Sequence, residues 1–141
     1  MRNLRKISET LSFCDQLRLA DINKLVDMGF RSVICNRPDS EEINQPTFKQ
    51  IQTALEAVNI DAYFLPVEPG EINDEHVKSF ENALEELPTP TLAFCRTGMR
   101  SATLWAWSQA DKQSAQDILS RAKAASIDLN SIVNRDANGG G

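Results

Sequence analysis

The residues of this chain that are best suited to chemistry stand together in the segment Cys95–Arg100, which Ser101 follows directly. Gly98 lies inside this segment, and glycine adopts the positive φ angles that let successive backbone N–H groups converge on one point. The helix predicted to follow adds its own N–H groups and the positive end of its dipole. The segment therefore predicts a site for a small anion. The predicted anion-binding residues are Arg96, Thr97, Gly98 and Met99, with Arg37 from a second loop.

The same segment brings a nucleophile to the anion. A cysteine at a helix N-terminus with arginines nearby is held as a thiolate, which is the nucleophilic form of sulfur. We expect the Ser101 hydroxyl to donate a hydrogen bond to this thiolate and the Arg100 guanidinium to fold over the anion as a bidentate clamp. The predicted catalytic set is Cys95, Arg100 and Ser101, and it needs no histidine. The alternative is that Cys95 is a small buried residue and that the arginines are solvated.

Two predicted strands place this chemistry at one rim of a sheet. Thr91–Phe94 is a short apolar run that stops at Cys95, and Arg31–Cys35 is a β-branched run that leads into a polar loop. Strands alternate with helical patterns along the chain, which predicts an α/β fold with a mostly parallel sheet flanked by helices. In such folds ligands bind beyond the carboxyl ends of the strands.

The remaining elements follow from hydrophobic periodicity and from capping residues. They are a strand or hairpin over Lys6–Cys14, a helix with Ile22, Leu25 and Val26 that Asp21 caps and Gly29 ends, a helix after Pro46 with Phe48, Ile51, Leu55 and Val58, a strand over Ala62–Leu65, a helix capped by Asn73 with Val77, Phe80, Leu84 and Leu87, a helix over Ser101–Gln109, a helix from Ser114, and a final turn over Leu129–Val133.

Two residues near the predicted rim have two interpretations each. Arg37 either supplies a second positive charge to the anion site or is a loop arginine paired with Asp39 or Glu41. Cys35 either resolves an oxidised or persulfidated Cys95 as a disulfide, or is a small core residue at a strand end. The spacing alone leaves both choices open.

Length and charge limit the classes of function. The 141 residues fit one domain, which we predict over residues 1–137, with a flexible tail at 138–141. Fifteen basic and 20 acidic residues give a net charge of −5, which argues against nucleic acid. No apolar run predicts a membrane span or a signal peptide, so we expect a cytoplasmic protein. Three cysteines without a Cys-x-x-Cys spacing and the single histidine, His76, predict no metal and no cofactor.

The Cys95 loop resembles the loops of two groups of cysteine enzymes. Cysteine-dependent phosphatases have five residues between the nucleophile and the arginine, whereas rhodanese-type sulfurtransferases have four, in the pattern Cys-x-x-Gly-x-Arg. Four residues separate Cys95 from Arg100. Over roughly residues 7–135, the chain is most similar to the phosphatase-like domain of the bacterial β-lactamase-hydrolase-like family. That resemblance rests on Gly29–Ile34, Asn36–Asp39, Gln45-Pro46, Cys95–Ser101 and Leu104–Ala106.

The resemblance implies a cysteine-phosphatase-like fold and a persulfide-transfer role in sulfide metabolism. Larger family members carry a metallo-β-lactamase-like domain, and we expect a separately encoded partner of that type. Three departures weaken a phosphatase interpretation: the loop is one residue shorter, Phe94 stands where phosphatases place a histidine, and Pro66–Asn73 holds no aspartate to protonate a leaving group. Glu68 and Glu71 are the candidate acids in that loop.

We therefore predict a sulfurtransferase in which Cys95 takes up a sulfane sulfur as a persulfide and passes it to an acceptor thiol. The alternative is a hydrolase of the cysteine-dependent phosphatase type, with a cysteinyl-phosphate intermediate and Glu68 or Glu71 as acid. A third interpretation is a non-catalytic anion-binding or redox-sensing module, with Cys95 and Cys35 as the switch pair. The expected partners are a small anionic substrate, or a sulfur donor and an acceptor thiol.

Overall fold

A five-stranded sheet forms the centre of the protein in a computed structural model that describes residues 3–128. The strands lie in the order β1-β2-β5-β3-β4; β1 pairs antiparallel with β2, and all other pairs are parallel. The predicted hairpin and the mostly parallel sheet are thereby confirmed. The strands are β1 Arg5–Lys6, β2 Leu11–Cys14, β3 Ser32–Cys35, β4 Asp61–Phe64 and β5 Thr91–Phe94.

In the described part of the chain five α-helices flank this sheet, and side-chain caps fix where three of them begin. Thr47 accepts a hydrogen bond from the Gln50 amide, and the predicted caps Asn73 and Ser114 accept from the His76 and Asp117 amides. The helices are α1 Ile22–Met28, α2 Phe48–Glu56, α3 Asp74–Glu86, α4 Met99–Ser108 and α5 Ala115–Ala124.

The start of α1 differs from the prediction. The Asp21 carboxylate accepts from the Arg18 amide at 3.0 Å and so caps the 3-10 turn Leu19–Asp21 that precedes the helix, not the helix itself. Val26 is 45% exposed and is not part of the apolar face. Gly29 does end the helix as predicted, in the left-handed region at φ 83°.

The sheet separates two apolar layers, and β5 lies between β2 and β3 in its middle. Leu92 and Phe94 belong to the core on the α1 and α2 side, whereas Ala93 belongs to the core under α3, α4 and α5. Seven of the ten residues of α4 are buried, and α3 packs against α4. Because β5 and α4 are both enclosed, the short loop that joins them is held firmly at both ends.

The predicted turn over Leu129–Val133 and the predicted tail at 138–141 lie outside the described residues. Within residues 3–128, the protein contains no helix with the length and apolar character that crossing a bilayer requires.

Candidate active site

The Cys95 sulfur lies at the carboxyl end of the central strand, against the backbone amide of the residue that precedes α4. The Gly98 N–H donates a hydrogen bond to Cys95 Sγ at 3.0 Å, and Cys95 is fully buried. Gly98 occupies the left-handed region at φ 94°, and a Cβ there would lie 3.2 Å from the Cys14 carbonyl oxygen. The backbone conformation therefore favours glycine at this position, and a Cβ there would also press on the Cys14 carbonyl.

Some backbone amides of the Cys95 loop and of the start of α4 already have protein partners, and others do not. The Met99 amide donates to Thr97 Oγ1 at 3.4 Å, and the Gly98 carbonyl accepts from the Ala102 amide as α4 begins. Within residues 3–128, the amides of Arg96 and Thr97 donate to no protein atom. These two amides are available to the predicted anion.

Arg100 is held by Glu41, a residue from the loop between β3 and α2. Arg100 Nη1 and Nη2 donate to the two Glu41 carboxylate oxygens at 2.7 and 2.9 Å, and Nη1 also donates to the Val67 carbonyl at 2.9 Å. The end of the guanidinium is therefore occupied. A guanidinium has five N–H groups, so Nε and one Nη2 proton remain on its side edge for a bidentate anion. The predicted clamp can act only through that edge.

Arg37 is buried and is paired with Glu41, as one of the two interpretations of the sequence predicted. Its Nε donates to Glu41 Oε1 at 2.9 Å, its Nη2 to Glu42 Oε1 at 2.8 Å and its Nη1 to Gln16 Oε1 at 2.8 Å. Its side chain is 4% exposed. Each of its three nitrogens has a protein partner, so Arg37 supports the glutamates and does not reach for an anion.

Five charged side chains thus form a continuous arginine–glutamate network in the order Arg96, Glu42, Arg37, Glu41, Arg100. The Arg96 Nε lies 3.1 Å from Glu42 Oε1, and this outer pair is solvent-exposed. The inner Arg100–Glu41 pair is mostly shielded, with side chains 11% and 18% exposed. The network connects the loop after β3 to both arginines of the Cys95 loop.

The network changes the acidity of its members. The Arg100 hydrogen bonds lower the pKa of Glu41 below its ordinary value; burial opposes this effect and Arg37 adds to it. The Glu41 hydrogen bond raises the pKa of Arg100 above its ordinary value, and the charges of Cys95 and Glu68 contribute in the same direction. Both partners are therefore ionised at neutral pH. The sequence predicts Glu41 as a candidate partner of Arg37, but no local pattern connects it to Arg100.

The Ser101 prediction requires a correction. The Ser101 hydroxyl donates to Asn36 Oδ1 at 2.8 Å and not to Cys95. Asn36 in turn donates from Nδ2 to the Leu65 carbonyl at 3.0 Å, and both side chains are fully buried. A buried amide oxygen needs a donor, which explains why Ser101 serves it. Ser101 therefore joins α4 to the ends of β3 and β4.

Cys35 and Cys14 lie in the strands on either side of Phe94 and are free thiols. The Cys35 thiol donates to the Arg37 carbonyl at 3.4 Å, and burial raises its pKa to about 12. Burial likewise raises the pKa of Cys14 well above its ordinary value. A protonated thiol does not attack a persulfide or sulfenate. This state disfavours Cys35 as a resolving residue.

The candidate acids differ in their surroundings. Glu68 and Glu71 are both exposed in the loop after β4, and the charge of Glu68 is near enough to act on Arg100. Asp39 Oδ1 accepts from the Phe48 amide at 2.8 Å, so it stabilises the start of α2. His76 accepts from the Asn73 amide through Nδ1 and belongs to the cap of α3. Residues 3–128 hold no cluster of three or more His, Cys, Asp or Glu side chains suited to a metal.

The fold and the site together define a cysteine-phosphatase-like protein. Its central parallel strand ends at a cysteine, and a glycine turn leads from there into a buried helix that carries an arginine. The sequence agrees with this class. Residues 3–112 match the family described as beta-lactamase hydrolase-like protein, phosphatase-like domain, and the chain belongs to that family. The match ends before α5, earlier than the limit near residue 135 expected from the sequence.

Curated relatives carry the name of the same family. The chain is 34% identical over 105 residues to a beta-lactamase hydrolase-like protein of Agrobacterium fabrum, and 30% identical over 103 residues to one of Xylella fastidiosa. These matches cover 74% and 73% of this chain but only 24% of each relative. The matched region therefore corresponds to about a quarter of those longer proteins.

Solved structures agree on the fold. A crystal structure of a phosphatase candidate from Neisseria meningitidis z2491 superposes with a TM-score of 0.88 at 34% identity, over 98% of this chain and 99% of that one. TpbA of P. aeruginosa, solved in complex with pTyr, superposes with a TM-score of 0.67 at 19% identity, over 97% of this chain and 81% of that one. The α/β fold and its phosphatase-like character are thus shared with proteins of known structure.

Proposed function

We propose that this domain hydrolyses phosphate monoesters through a cysteinyl-phosphate intermediate. Cys95 Sγ attacks phosphorus, and the S–P bond forms while the bond from phosphorus to the ester oxygen breaks. Glu68, in its protonated form, gives its proton to the leaving oxygen. Water then attacks phosphorus and returns a proton to Glu68, the S–P bond breaks, and inorganic phosphate leaves the regenerated thiolate.

The hydrogen bond from Gly98 to the Cys95 sulfur carries this proposal. A 3.0 Å contact with an amide at the N-terminus of α4 stabilises negative charge on sulfur. The amides of Arg96 and Thr97 and the side edge of Arg100 then offer donors to the oxygens of a tetrahedral anion. The family description and the phosphatase names of similar structures support phosphate ester hydrolysis over sulfur transfer.

The test compares Cys95 with Cys35 in hydrolysis of p-nitrophenyl phosphate. We expect Cys95→Ser to lower kcat by at least about a thousandfold, because the nucleophile is lost. Cys35→Ser is the matched control, since Cys35 is also buried at a strand end beside β5, and it should keep most of the activity of folded protein. Mass spectrometry after acid quenching should find a phosphoryl group on Cys95. Turnover that survives Cys95→Ser would refute the proposal.

Sulfur transfer, the function first predicted from the sequence, remains a second candidate on one observation. Only four residues separate Cys95 from Arg100, which shortens the anion loop compared with the phosphatase pattern. When Cys95 takes the sulfane sulfur of thiosulfate, the S–S bond of thiosulfate breaks and sulfite leaves, and sulfite needs no proton donor. Incubation with thiosulfate should then add one sulfur atom to Cys95, detectable by mass spectrometry and removable by a thiol. Persulfide formation without phosphate ester hydrolysis would favour this candidate.

A further inference from the structure

A groove of about 440 Å³ adjoins the Cys95 loop and follows one side of α4. One wall is a stripe of α4 residues at four-residue spacing: Met99, Thr103 and Trp107. Eight residues of helix correspond to about 12 Å, so the groove extends well beyond the anion loop. The opposite wall comes from the loop between β4 and α3 and contains Pro69, Gly70 and Ile72.

The groove is charged at one end and apolar along its length. Arg96 and Arg100 of the Cys95 loop line it, and none of its lining residues within 3–128 is acidic. Met99, the first residue of α4, is 39% exposed and offers apolar surface to the groove. The Thr103 hydroxyl donates to the Met99 carbonyl at 2.7 Å and is therefore engaged by its own helix.

A second cleft on the other side of Arg96 has a different character. It measures about 510 Å³ and is lined by Asp15, Glu42, Arg18 and Arg37 among other polar residues. Its mixed charges suit water or a polar group. The two clefts share Arg96, so a substrate anchored at the anion loop can extend its organic group toward one or the other. Burial of apolar surface favours the groove along α4.

We propose that the groove along α4 binds the organic group of the substrate, and that this group is apolar and at least as large as two fused aromatic rings. The inference rests on the proposed phosphatase function and adds the substrate class. Arg96 and Arg100 stand at the end of the groove where the phosphate binds, and Met99, Ile72 and Trp107 provide thioether, aliphatic and aromatic surface for a flat ring system. The length of the groove exceeds what a single ring would cover.

The test compares hydrolysis of phenyl phosphate with that of 2-naphthyl phosphate by the full chain. Their leaving groups have similar acidity, so a difference in kcat/KM reports binding of the second ring. We expect kcat/KM to be roughly tenfold higher for the naphthyl ester. Ile72→Ala should reduce this preference to about twofold, because the second ring loses its contact.

Leu87→Ala is the matched control. Leu87 is also partly buried against the same core, but it lines a separate pocket with Tyr63 and Ala83. This variant should keep the tenfold preference. The ratio of two kcat/KM values does not depend on the folded fraction, so a loss of stability in either variant leaves the comparison valid.

Three results would overturn the inference. The first is an equal kcat/KM for the two esters. If cleavage of both esters still required Cys95, this result would refute the role of the groove but not the proposed phosphatase function. The second is an unchanged preference in Ile72→Ala. The third is a dimer, measured by light scattering, that Ile72→Ala dissociates, because a second copy of the chain would then fill the groove. Failure of Cys95-dependent hydrolysis of both esters would instead refute the phosphatase function itself.

Discussion

Glu41→Gln tests whether the arginine–glutamate network sets the position of Arg100. The substitution keeps the size of the side chain and removes its charge. In the native protein the carboxylate accepts three hydrogen bonds, two from Arg100 and one from Arg37, at 2.7 to 2.9 Å. An amide has one acceptor oxygen and one NH₂ group. The NH₂ group would face a guanidinium N–H and could not accept from it.

The shielding of the pair sets the size of the effect. The side chains of Glu41 and Arg100 are 18% and 11% exposed. Hydrogen bonds to charged groups contribute about 1.5 to 3 kcal/mol each, and loss of one partner leaves the other charge uncompensated. We therefore expect Glu41→Gln to lower the free energy of unfolding by roughly 2 to 4 kcal/mol. We also expect kcat to fall about 10- to 100-fold, with a smaller change in KM, because the side edge of Arg100 is no longer held toward the reacting phosphate.

The pH dependence of stability gives an independent check. Arg100 and Arg37 lower the folded pKa of Glu41 below the ordinary value of 4.5. The stabilisation is therefore complete above pH 4.5 and is lost as the pH falls through the folded pKa. Thermal melts of the native protein and of Glu41→Gln should differ most at neutral pH, and the difference should shrink below pH 4.5.

Glu42→Gln is the control for a general effect of charge. Glu42 also bridges two arginines, but its side chain is 55% exposed and that of its partner Arg96 is 66% exposed. Its buried partner Arg37 keeps its hydrogen bonds to Glu41 and Gln16. Exposed ion pairs contribute about 0 to 1 kcal/mol, so this variant should remain close to the native protein in stability and in kcat. If Glu41→Gln matched Glu42→Gln in both measurements, Arg100 would not depend on Glu41 and the reasoning would be wrong.

Other predictions concern the sulfur loop. Gly98→Ala should lower the free energy of unfolding by about 1 to 3 kcal/mol and greatly reduce kcat. The added Cβ would meet the Cys14 carbonyl and displace the amide that binds the sulfur. A native-like melt and full activity would contradict this. Ser101→Ala should lower the free energy of unfolding by about 1 to 3 kcal/mol through the unpaired Asn36 oxygen. In that variant the pH profile of Cys95 alkylation by iodoacetamide should not move, whereas a direct Ser101–sulfur hydrogen bond would move it.

Local patterns predicted most of the fold because its elements depend on neighbours in the sequence. The apolar runs before Cys95 and Asn36 are strands β5 and β3, and Gly98 begins α4 in a left-handed conformation. The helix after Gly98 starts at Met99, two residues earlier than its composition indicated. Glycine at the N-cap explains this, because the chain turns into the helix immediately after it.

Partners far apart in the chain were harder to identify. Several acidic residues follow Pro38, and only the packing of that loop against α4 brings Glu41 to Arg100, 59 residues later. Ser101 was assigned to the sulfur because the two are close in sequence. In the fold Asn36 is fully buried, and its side-chain oxygen accepts the hydrogen bond from the Ser101 hydroxyl.

The charges around the Cys95 loop nearly cancel, so an anion must be bound there mainly by hydrogen bonds. Three guanidinium groups and two carboxylates in the network leave one positive charge, and a thiolate at Cys95 would cancel it. A phosphate dianion would then meet a rim without net charge. Its binding has to come from short-range hydrogen bonds, from the Arg96 and Thr97 amides, the start of α4 and the side edge of Arg100. Hydrogen bonds are directional, so these donors fix the orientation of the anion as well as binding its charge. An enzyme that must hold a tetrahedral group in line with one sulfur atom needs that orientation.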